Sequence, residues 1–398
     1  MSPSSLILER YADVLINFAL GNGTGIKPGD VVLLSVPECA RSILKPLHDT
    51  VLQAGGHPVV EIVPDGLQRS FFQHANVSQL LYRPMKRLLG TVEDIDHRLF
   101  IIAEEEKYEL FGIDGEHIMK RFATIKPYRE ALNNKENQGK LTWTLGMYGT
   151  QAMAAFAGMS LEEYWDQIIY ACFLDDEHPI QRWQEVTETL HMLTEKLNLL
   201  QIQSVHVLGE DVDLTVKVGS DRKWLAGRGC NIPSFEVFTS PDWRGTNGWI
   251  RFNMPLSYQG SIIRGIELRF QDGLVIESKA TENEALLKQM IAQKDANKAG
   301  EFSLTDSRLS RITKFMGETL YDENVGGPFG NTHLALGMAY KDAFTGDIAN
   351  TSKEEWIDRG YNDSVVHTDI MSTTDRTVTA TLLDGSQKII YEKGQFVI

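Results

Sequence analysis

The sequence predicts an α/β amino-terminal domain with an open sheet, followed by an α+β carboxyl-terminal domain. Two observations predict this fold class: short apolar runs alternate with helical stretches in the first half, and alternating β-type segments dominate from residue 204 onward. The length of 398 residues also exceeds the size at which a single core usually stops growing. We therefore expect two domains, residues 1–198 and 199–398.

The first half begins with an amphipathic helix through Leu20, and its apolar runs then alternate with helical patterns as in a βαβ unit. The predicted strands are residues 31–36, 58–62, 99–103 and 141–145; the helical patterns are residues 40–53, 161–174 and 180–200. No G-x-G-x-x-G motif follows the first strand, so a dinucleotide site is not expected there.

The second half is predicted to be mainly antiparallel sheet. Its strand-like segments read HVLGEDVDLTVKVG, GWIRFNMPL and GSIIRGIELRFQDGLVIESKA, and Gln271-Asp272-Gly273 within the last is a hairpin turn. A helix is expected over residues 282–293.

Composition excludes several classes of partner. The net charge of -15 disfavours nucleic acids and anionic membranes. The cysteines Cys39, Cys172 and Cys230 form no paired spacing, which argues against disulfides and a zinc–thiolate site. Neither a signal peptide nor an apolar run of about 18 residues is present, so we expect a cytoplasmic protein that does not enter membranes.

A possible metal site begins with His367-Thr368-Asp369. On a strand, residues two apart point to the same face, so this imidazole and this carboxylate can converge on one ion. The triplet alone is weak, because a surface histidine beside an aspartate is common.

His333 lies in the segment Thr332–Tyr340, whose small residues predict a helix. In a helix, His333 and Tyr340, seven residues apart, would lie nearly on one face and could border one cavity. The simpler interpretation is a core-facing histidine and an interfacial tyrosine.

Two carboxylates lie where neighbouring residues are apolar or β-type. Glu236 stands between Phe235 and Val237, and Glu301 precedes Phe302. A buried carboxylate without a partner costs several kcal/mol, so burial of either one would require a metal or a basic partner.

Six ordered segments together resemble the thermophilic-type metalloaminopeptidases, the family of aminopeptidases T and S. They read GRGCNIPSFEVFTSP, YQGSIIRGIELRFQDGLVIESKA, AGEFSLTD, TLYDEN, THLALGMAY and SVVHTDIM, and they span roughly residues 205–398. The resemblance implies a metal-binding carboxyl-terminal domain, a homodimer, a peptide substrate and two divalent ions.

The resemblance also implies roles for particular residues. The family's metal-ligand positions correspond to Glu236, Glu301, Glu323, His333, His367 and Asp369. Glu301 would bridge the ions, Glu301 or Glu323 would shuttle a proton, and Tyr340 would border the cluster and donate to the oxyanion or bind a metal. Zinc, cobalt or manganese would suit these ligands.

One feature departs from the family pattern. The interval from Glu323 to His333 is ten residues and contains Gly326, Gly327, Pro328 and Gly330, whereas a shorter interval is typical of the family. The extra residues could bulge outward and leave the ligands in place, or they could move Glu323 away from the metals.

Two other functions remain open at this point. His333, His367 and Asp369 would suffice for the facial triad of a mononuclear iron ring-cleaving dioxygenase, and such an enzyme looks related to this fold. Glu236 and Glu301 distinguish the two-metal hydrolase from the single-iron dioxygenase, because the presence of both carboxylates at the site favours two metals. A non-catalytic descendant that binds a peptide or metal is the third possibility.

Overall fold

A computed structural model describes residues 3–398, and the chain packs into two compact units. The first unit runs to Gln184 and also includes Arg228–Ile232; the second comprises Glu185–Gly227 and Pro233–Ile398. The division falls inside a helix that begins at Pro179 and ends at Leu199. The boundary predicted from the sequence, 198/199, lies at the carboxyl end of that helix.

The first unit is built on a parallel four-stranded sheet. Its strands, which pair in the order β2-β1-β3-β4, are β1 (Val31–Pro37), β2 (His57–Val63), β3 (His97–Ile102) and β4 (Thr142–Met147). Residues 32–36 of β1 are all buried, as a central parallel strand requires, whereas the edge strand β2 has no fully buried residue. The predicted open α/β sheet is confirmed.

Helices precede, separate and follow these strands along the chain. They are α1 (Ser5–Val14), α2 (Leu20–Gly23), α3 (Arg41–Gln53), α4 (Leu67–His74), α5 (Val77–Leu81), α6 (Met85–Asp94), α7 (Gly115–Ala123), α8 (Lys126–Asn137), α9 (Gln151–Phe156), α10 (Leu161–Ala171) and α11 (Pro179–Leu199). A π-helical turn over Leu15–Ala19 joins α1 to α2. Helix α10 begins at a capping box, in which Ser160 and Glu163 exchange hydrogen bonds.

The second unit contains antiparallel sheets, which confirms its predicted α+β character. Its strands are β5 (Ile202–Gly209), β6 (Val212–Lys217), β7 (Leu225–Ala226), β8 (Glu236–Thr239), β9 (Asn247–Arg251), β10 (Leu256–Tyr258), β11 (Ser261–Ile263), β12 (Glu267–Gln271), β13 (Leu274–Lys279), β14 (Ala299–Thr305), β15 (Asn331–Gly337), β16 (His367–Ser372), β17 (Arg376–Leu382), β18 (Gln387–Glu392) and β19 (Gln395–Phe396). Short helices α12 (Glu284–Ile291), α13 (Thr319–Asp322) and α14 (Lys353–Asp358) connect them.

An eight-stranded sheet has the order β13-β12-β9-β6-β5-β17-β18-β19. The predicted hairpin turn joins β12 to β13: Gln271 pairs with Leu274, and the two residues between them, Asp272 and Gly273, have φ values of 49° and 83°. Positive φ at both central positions is what a type I′ turn requires, which explains the Asp-Gly sequence.

A five-stranded sheet, in the order β16-β15-β14-β8-β7, carries five of the six predicted metal ligands, and the sixth, Glu323, lies at the end of α13. Every residue of β14 and β15 is buried. The helix predicted over residues 332–340 is therefore wrong, because Asn331–Gly337 form a central strand. A short apolar run buried on both faces has no period-two alternation, so the sequence pattern could not distinguish it from a helix.

Candidate metal centre

Strand pairing brings five of the six predicted ligands to one face of the five-stranded sheet. Ala335 in the central strand β15 lies opposite Glu301 on one side and Asp369 on the other. Side chains alternate along a strand, so Glu301, His333, His367 and Asp369 project from the same face. Thr305, on that face of β14, pairs with Glu236, which places Glu236 there as well.

The side chains form two donor groups that share Glu301. The inner donor group is Glu236, Glu301 and His333, and the outer donor group is Glu301, His367 and Asp369; within each group the donor atoms lie within 4.8 Å of one another. The Oε1 atom of Glu301 lies 3.2 Å from His333 Nε2, and its Oε2 atom lies 3.5 Å from His367 Nε2. The two oxygens of one carboxylate therefore face different histidines.

Backbone carbonyls orient both imidazoles. The Nδ1 atom of His333 donates to the carbonyl oxygen of Glu323 at 3.0 Å, and Nδ1 of His367 donates to that of Met338 at 2.8 Å. A proton held on Nδ1 directs Nε2 into the cluster, where it donates to a carboxylate when protonated and offers its lone pair to a metal when neutral. This arrangement is the one in which a neutral histidine ligates a metal.

The cluster concentrates negative charge away from solvent. Glu236, Glu301 and Asp369 are 7%, 3% and 5% exposed, and His333 is 1% exposed. Within residues 3–398, these three carboxylates form ion pairs with histidines but with no lysine or arginine. Divalent cations would supply the positive charge that the surrounding side chains do not.

The pKa values of the cluster reflect this crowding. Burial, together with Glu301 and Asp369, raises the pKa of Glu236 to about 7. Burial by itself would lower the pKa of His333, but its hydrogen bond with Glu301 and the charges of Glu236 and Asp369 raise it to about 9. A buried cluster that retains protons in this way exchanges them for metal ions on binding.

Tyr340 borders the outer donor group, although not from a helix. Its ring centroid lies 4.7 Å from that of His367 and 6.0 Å from that of Phe238, and the residue is 38% exposed. The amide of Tyr340 donates to Ser240 Oγ at 2.8 Å. Desolvation and the nearby carboxylates of Glu301 and Asp369 raise the pKa of the phenol, so it keeps its proton at neutral pH.

Glu323 stays beside the cluster despite the long interval before His333. Its carbonyl oxygen accepts from both His333 Nδ1 and Asn331 Nδ2, so the start of β15 returns to Glu323. Residues 327–329 are exposed while the residues flanking them are buried, which means that the extra length bulges outward. Burial and the charges of Glu236, Asp369 and Glu301 raise the pKa of the Glu323 carboxyl. Its side chain belongs to neither donor group.

Several supporting residues were not identified from the sequence. Ser303 Oγ donates to Glu236 Oε2 at 3.0 Å, and the small side chain of Ala335 lies between Glu301 and Asp369. Both positions follow from strand alternation only once 331–337 is known to be a strand. Asn324, next to Glu323, was visible in the Asp-Glu-Asn motif, but its contacts depend on the tertiary structure.

The donor set fits divalent metal ions. It combines carboxylate oxygens with imidazole nitrogens, which suits borderline cations, and it offers two groups joined by one carboxylate.

No helix among residues 3–398 is both long enough and apolar enough to cross a membrane.

Known proteins resemble this chain over nearly its whole length. The model of the family described as thermophilic metalloprotease (M29) matches residues 5–396. Aminopeptidase PepS of Streptococcus thermophilus is 27% identical and is matched over 98% of both chains. Aminopeptidase AmpS of Bacillus subtilis is 31% identical, over 72% of this chain and 73% of that relative. The structure of wild-type AmpT from Thermus thermophilus superimposes with a TM-score of 0.85 at 22% identity, covering 98% of this chain and 99% of AmpT, which shows a shared fold.

Proposed function

The chain belongs to the thermophilic metalloprotease (M29) family, and from this premise we propose that it is an aminopeptidase that hydrolyses peptides at a site holding two divalent ions. Relatives named as aminopeptidases support the assignment of a metal-dependent hydrolase. The observation that carries the two-ion proposal is the sharing of Glu301 by the inner and outer donor groups.

The inner donor group would hold one ion and the outer donor group the other, with Glu301 between them. Their three carboxylates and neutral histidines carry three negative charges, and Glu323 would add a fourth; two divalent ions balance such a set. Zinc, cobalt and manganese all accept carboxylate and imidazole ligands. When bound, the ions supply a water of lowered pKa and polarise the scissile carbonyl.

The protein's own groups position the substrate and move the proton. Either Glu301 or Glu323 carries a proton from the attacking water to the leaving amine, since both lie in or beside the cluster. The Tyr340 phenol, at the exposed edge next to His367, donates a hydrogen bond to the developing oxyanion. The negative potential of the site suits the free α-ammonium group of a peptide.

Ion content combined with a peptidase assay tests this proposal. We expect about two ions per chain by elemental analysis, and we expect hydrolysis of an aminoacyl chromogenic substrate that stops on chelation and returns with zinc, cobalt or manganese. Bound ions without hydrolysis of any such substrate would instead indicate a non-catalytic binding protein.

The same experiment addresses the dioxygenase alternative. Glu236 and Glu301 both lie in the cluster, which is the feature that favours a two-metal hydrolase over a single-iron site. One iron per chain together with oxygen uptake would contradict the proposal.

A homodimer in the cytoplasm remains our expectation for the assembly and its location. The resemblance to the family supports both, and size-exclusion chromatography with light scattering measures the oligomeric state directly. A monomer at micromolar concentration would contradict the first expectation.

A further inference from the structure

Asn324 is a buried amide whose two ends contact different parts of the candidate metal centre. The residue is 0% exposed. Its Oδ1 atom accepts from the backbone N–H of Phe235 at 2.6 Å, and its Nδ2 atom donates to Glu323 Oε1 at 3.3 Å. Nothing in the chemistry proposed above uses this side chain.

The contact with Phe235 fixes the start of the strand that carries Glu236. Residues 227–235 have no regular strand or helix, and Glu236 is the first residue of β8. A buried amide N–H needs an acceptor, and here the acceptor is a side chain rather than a neighbouring strand. Asn324 therefore fixes the backbone immediately before Glu236, in addition to the pairing of Glu236 with Thr305.

The contact with Glu323 links the same amide to His333. Asn324 orients the carboxyl of Glu323, while the carbonyl of Glu323 accepts from His333 Nδ1. Residues 323 and 324 thus contact His333, a member of the inner donor group, and Phe235, which precedes another member, Glu236. The outer donor group has different support, since His367 Nδ1 donates to the carbonyl of Met338.

We propose that Asn324 is a positioning residue that holds Glu236 and Glu323 in register with His333, and so sets the affinity for the ion of the inner donor group. The inference rests on the proposed two-ion function. It predicts a selective defect, because no hydrogen bond of the Asn324 side chain reaches His367 or Asp369.

The test is a calorimetric titration of the ion-free protein with Mn²⁺ or Zn²⁺. Asn324→Asp keeps an acceptor for Phe235 N–H but replaces the donor facing Glu323 with an oxygen. We expect the inner-ion affinity to fall about 10- to 100-fold, as is typical when a group supporting a metal ligand is lost. The outer-ion affinity should change less than about threefold, well below that range. His333→Ala and His367→Ala identify which binding step belongs to each donor group.

Asn198→Asp is a control for the same change at an exposed position away from the centre, because Asn198 also bridges backbone groups, donating to the carbonyl of Trp224 and accepting from its N–H. It should leave both steps unchanged. Asn324→Ser, which removes the amide donor without adding charge, replaces Asn324→Asp if that variant does not fold by circular dichroism.

The outcomes separate this inference from the proposed function. A wild-type protein that binds a single ion contradicts the two-ion site itself. Two ions in the wild type, with both steps weakened equally or neither weakened in the Asn324 variant, overturns the role of Asn324 alone.

Discussion

At the scale of single residues, the cluster places several ionisable side chains in a buried environment that disfavours their charged forms. Glu236, Glu301 and Asp369 share two imidazoles, so three ionised carboxylates would leave one buried negative charge unbalanced, and the raised pKa of Glu236 relieves this excess in the ion-free protein. Burial of unbalanced charge opposes folding. The groups that bind ions therefore contribute little to the stability of the ion-free fold.

The variant Glu301→Gln tests whether the cluster is needed for ion binding and activity but not for the stability of the ion-free protein. Glu301→Gln should abolish peptidase activity and the binding of at least one ion, because glutamine cannot offer a carboxylate oxygen to both donor groups. The free energy of unfolding of the ion-free protein should change by less than about 1 kcal/mol, because glutamine keeps the shape of the side chain and Glu236 and Asp369 still pair with the two histidines. Urea denaturation in the presence of a chelator measures this free energy of unfolding.

Leu304→Ala, in the same strand, is the opposite control. Leu304 is 0% exposed, so its truncation should cost about 2–5 kcal/mol of stability while the ion stoichiometry of the folded fraction stays unchanged. A Glu301→Gln variant as destabilised as Leu304→Ala would show that the cluster stabilises the ion-free fold.

The position of Ala335 predicts that ion binding requires free volume as well as ligands. It lies between Glu301 and Asp369 on the site face, and its small side chain leaves the volume between these carboxylates free. Ala335→Val should reduce ion affinity at least about tenfold, measured by equilibrium dialysis, because the added methyl groups project into that volume.

Ala380→Val, at a buried alanine of β17, gives a comparable overpacking without touching the site. Both variants should lose about 1–3 kcal/mol of stability. Equal ion affinity in the two variants would contradict the steric role of Ala335.

At the scale of elements, the connections between strands position Tyr340 at the edge of the candidate site. Strand β15 ends at Gly337, which has a φ of 109° that is strained for any residue with a side chain. A Cβ at this position would also lie 2.0 Å from the carbonyl oxygen of Val366. Three residues later, Tyr340 is held by the bond from its amide to Ser240, which is itself 0% exposed. Arg222 Nε donates to the carbonyl of Ser240 and so anchors the end of β8.

Ser240→Ala tests this connection. The substitution leaves the Tyr340 amide without its acceptor, so we expect a fall in kcat of up to about tenfold with a smaller change in KM, provided that Tyr340 stabilises the transition state. Steady-state kinetics of Ser240→Ala, Tyr340→Phe and the double variant form the measurement.

The double variant is the decisive member of the set. If Ser240 acts only through Tyr340, the double variant should be no slower than Tyr340→Phe alone. Fully additive losses would mean that Ser240 acts by another route.

Sequence patterns predicted most elements but failed at the most important strand. The parallel strands of the first half were readable because each is an apolar run between turn residues, and the Asp-Gly turn between β12 and β13 has its own signature. Residues 331–337 lacked any such signal, since full burial on both faces removed the alternation. The grouping of His333 with Glu301 through Ala335 could not be inferred from a helical interpretation.

At the scale of the whole molecule, the candidate site belongs to one unit. All residues of both donor groups, with Glu323 and Tyr340, lie in the second unit, and four of the five strands of one sheet contribute to the centre or its supporting contacts. Ion binding should therefore stabilise that sheet first.

Hydrogen–deuterium exchange with and without ions tests this expectation. Peptides that cover β8, β14, β15, β16 and residues 319–325 should exchange more slowly when ions are bound, because binding stabilises only the states in which the cluster is formed. Peptides that cover β1 to β4 serve as the internal control and should change little. Equal protection of the parallel sheet would contradict a purely local effect.

The sequence by itself determined the two-part architecture, the residue types of the metal centre and the family, because apolar periodicity and ordered motifs are local properties of the chain. The resemblance already implied that Glu301 bridges the two ions. Only the tertiary structure decided that its two oxygens face different histidines, that the long interval before His333 bulges outward, and that Asn324 links Glu323 to the strand of Glu236. Each of these depends on strand register and on contacts between distant residues, and a single sequence does not encode either in a readable pattern.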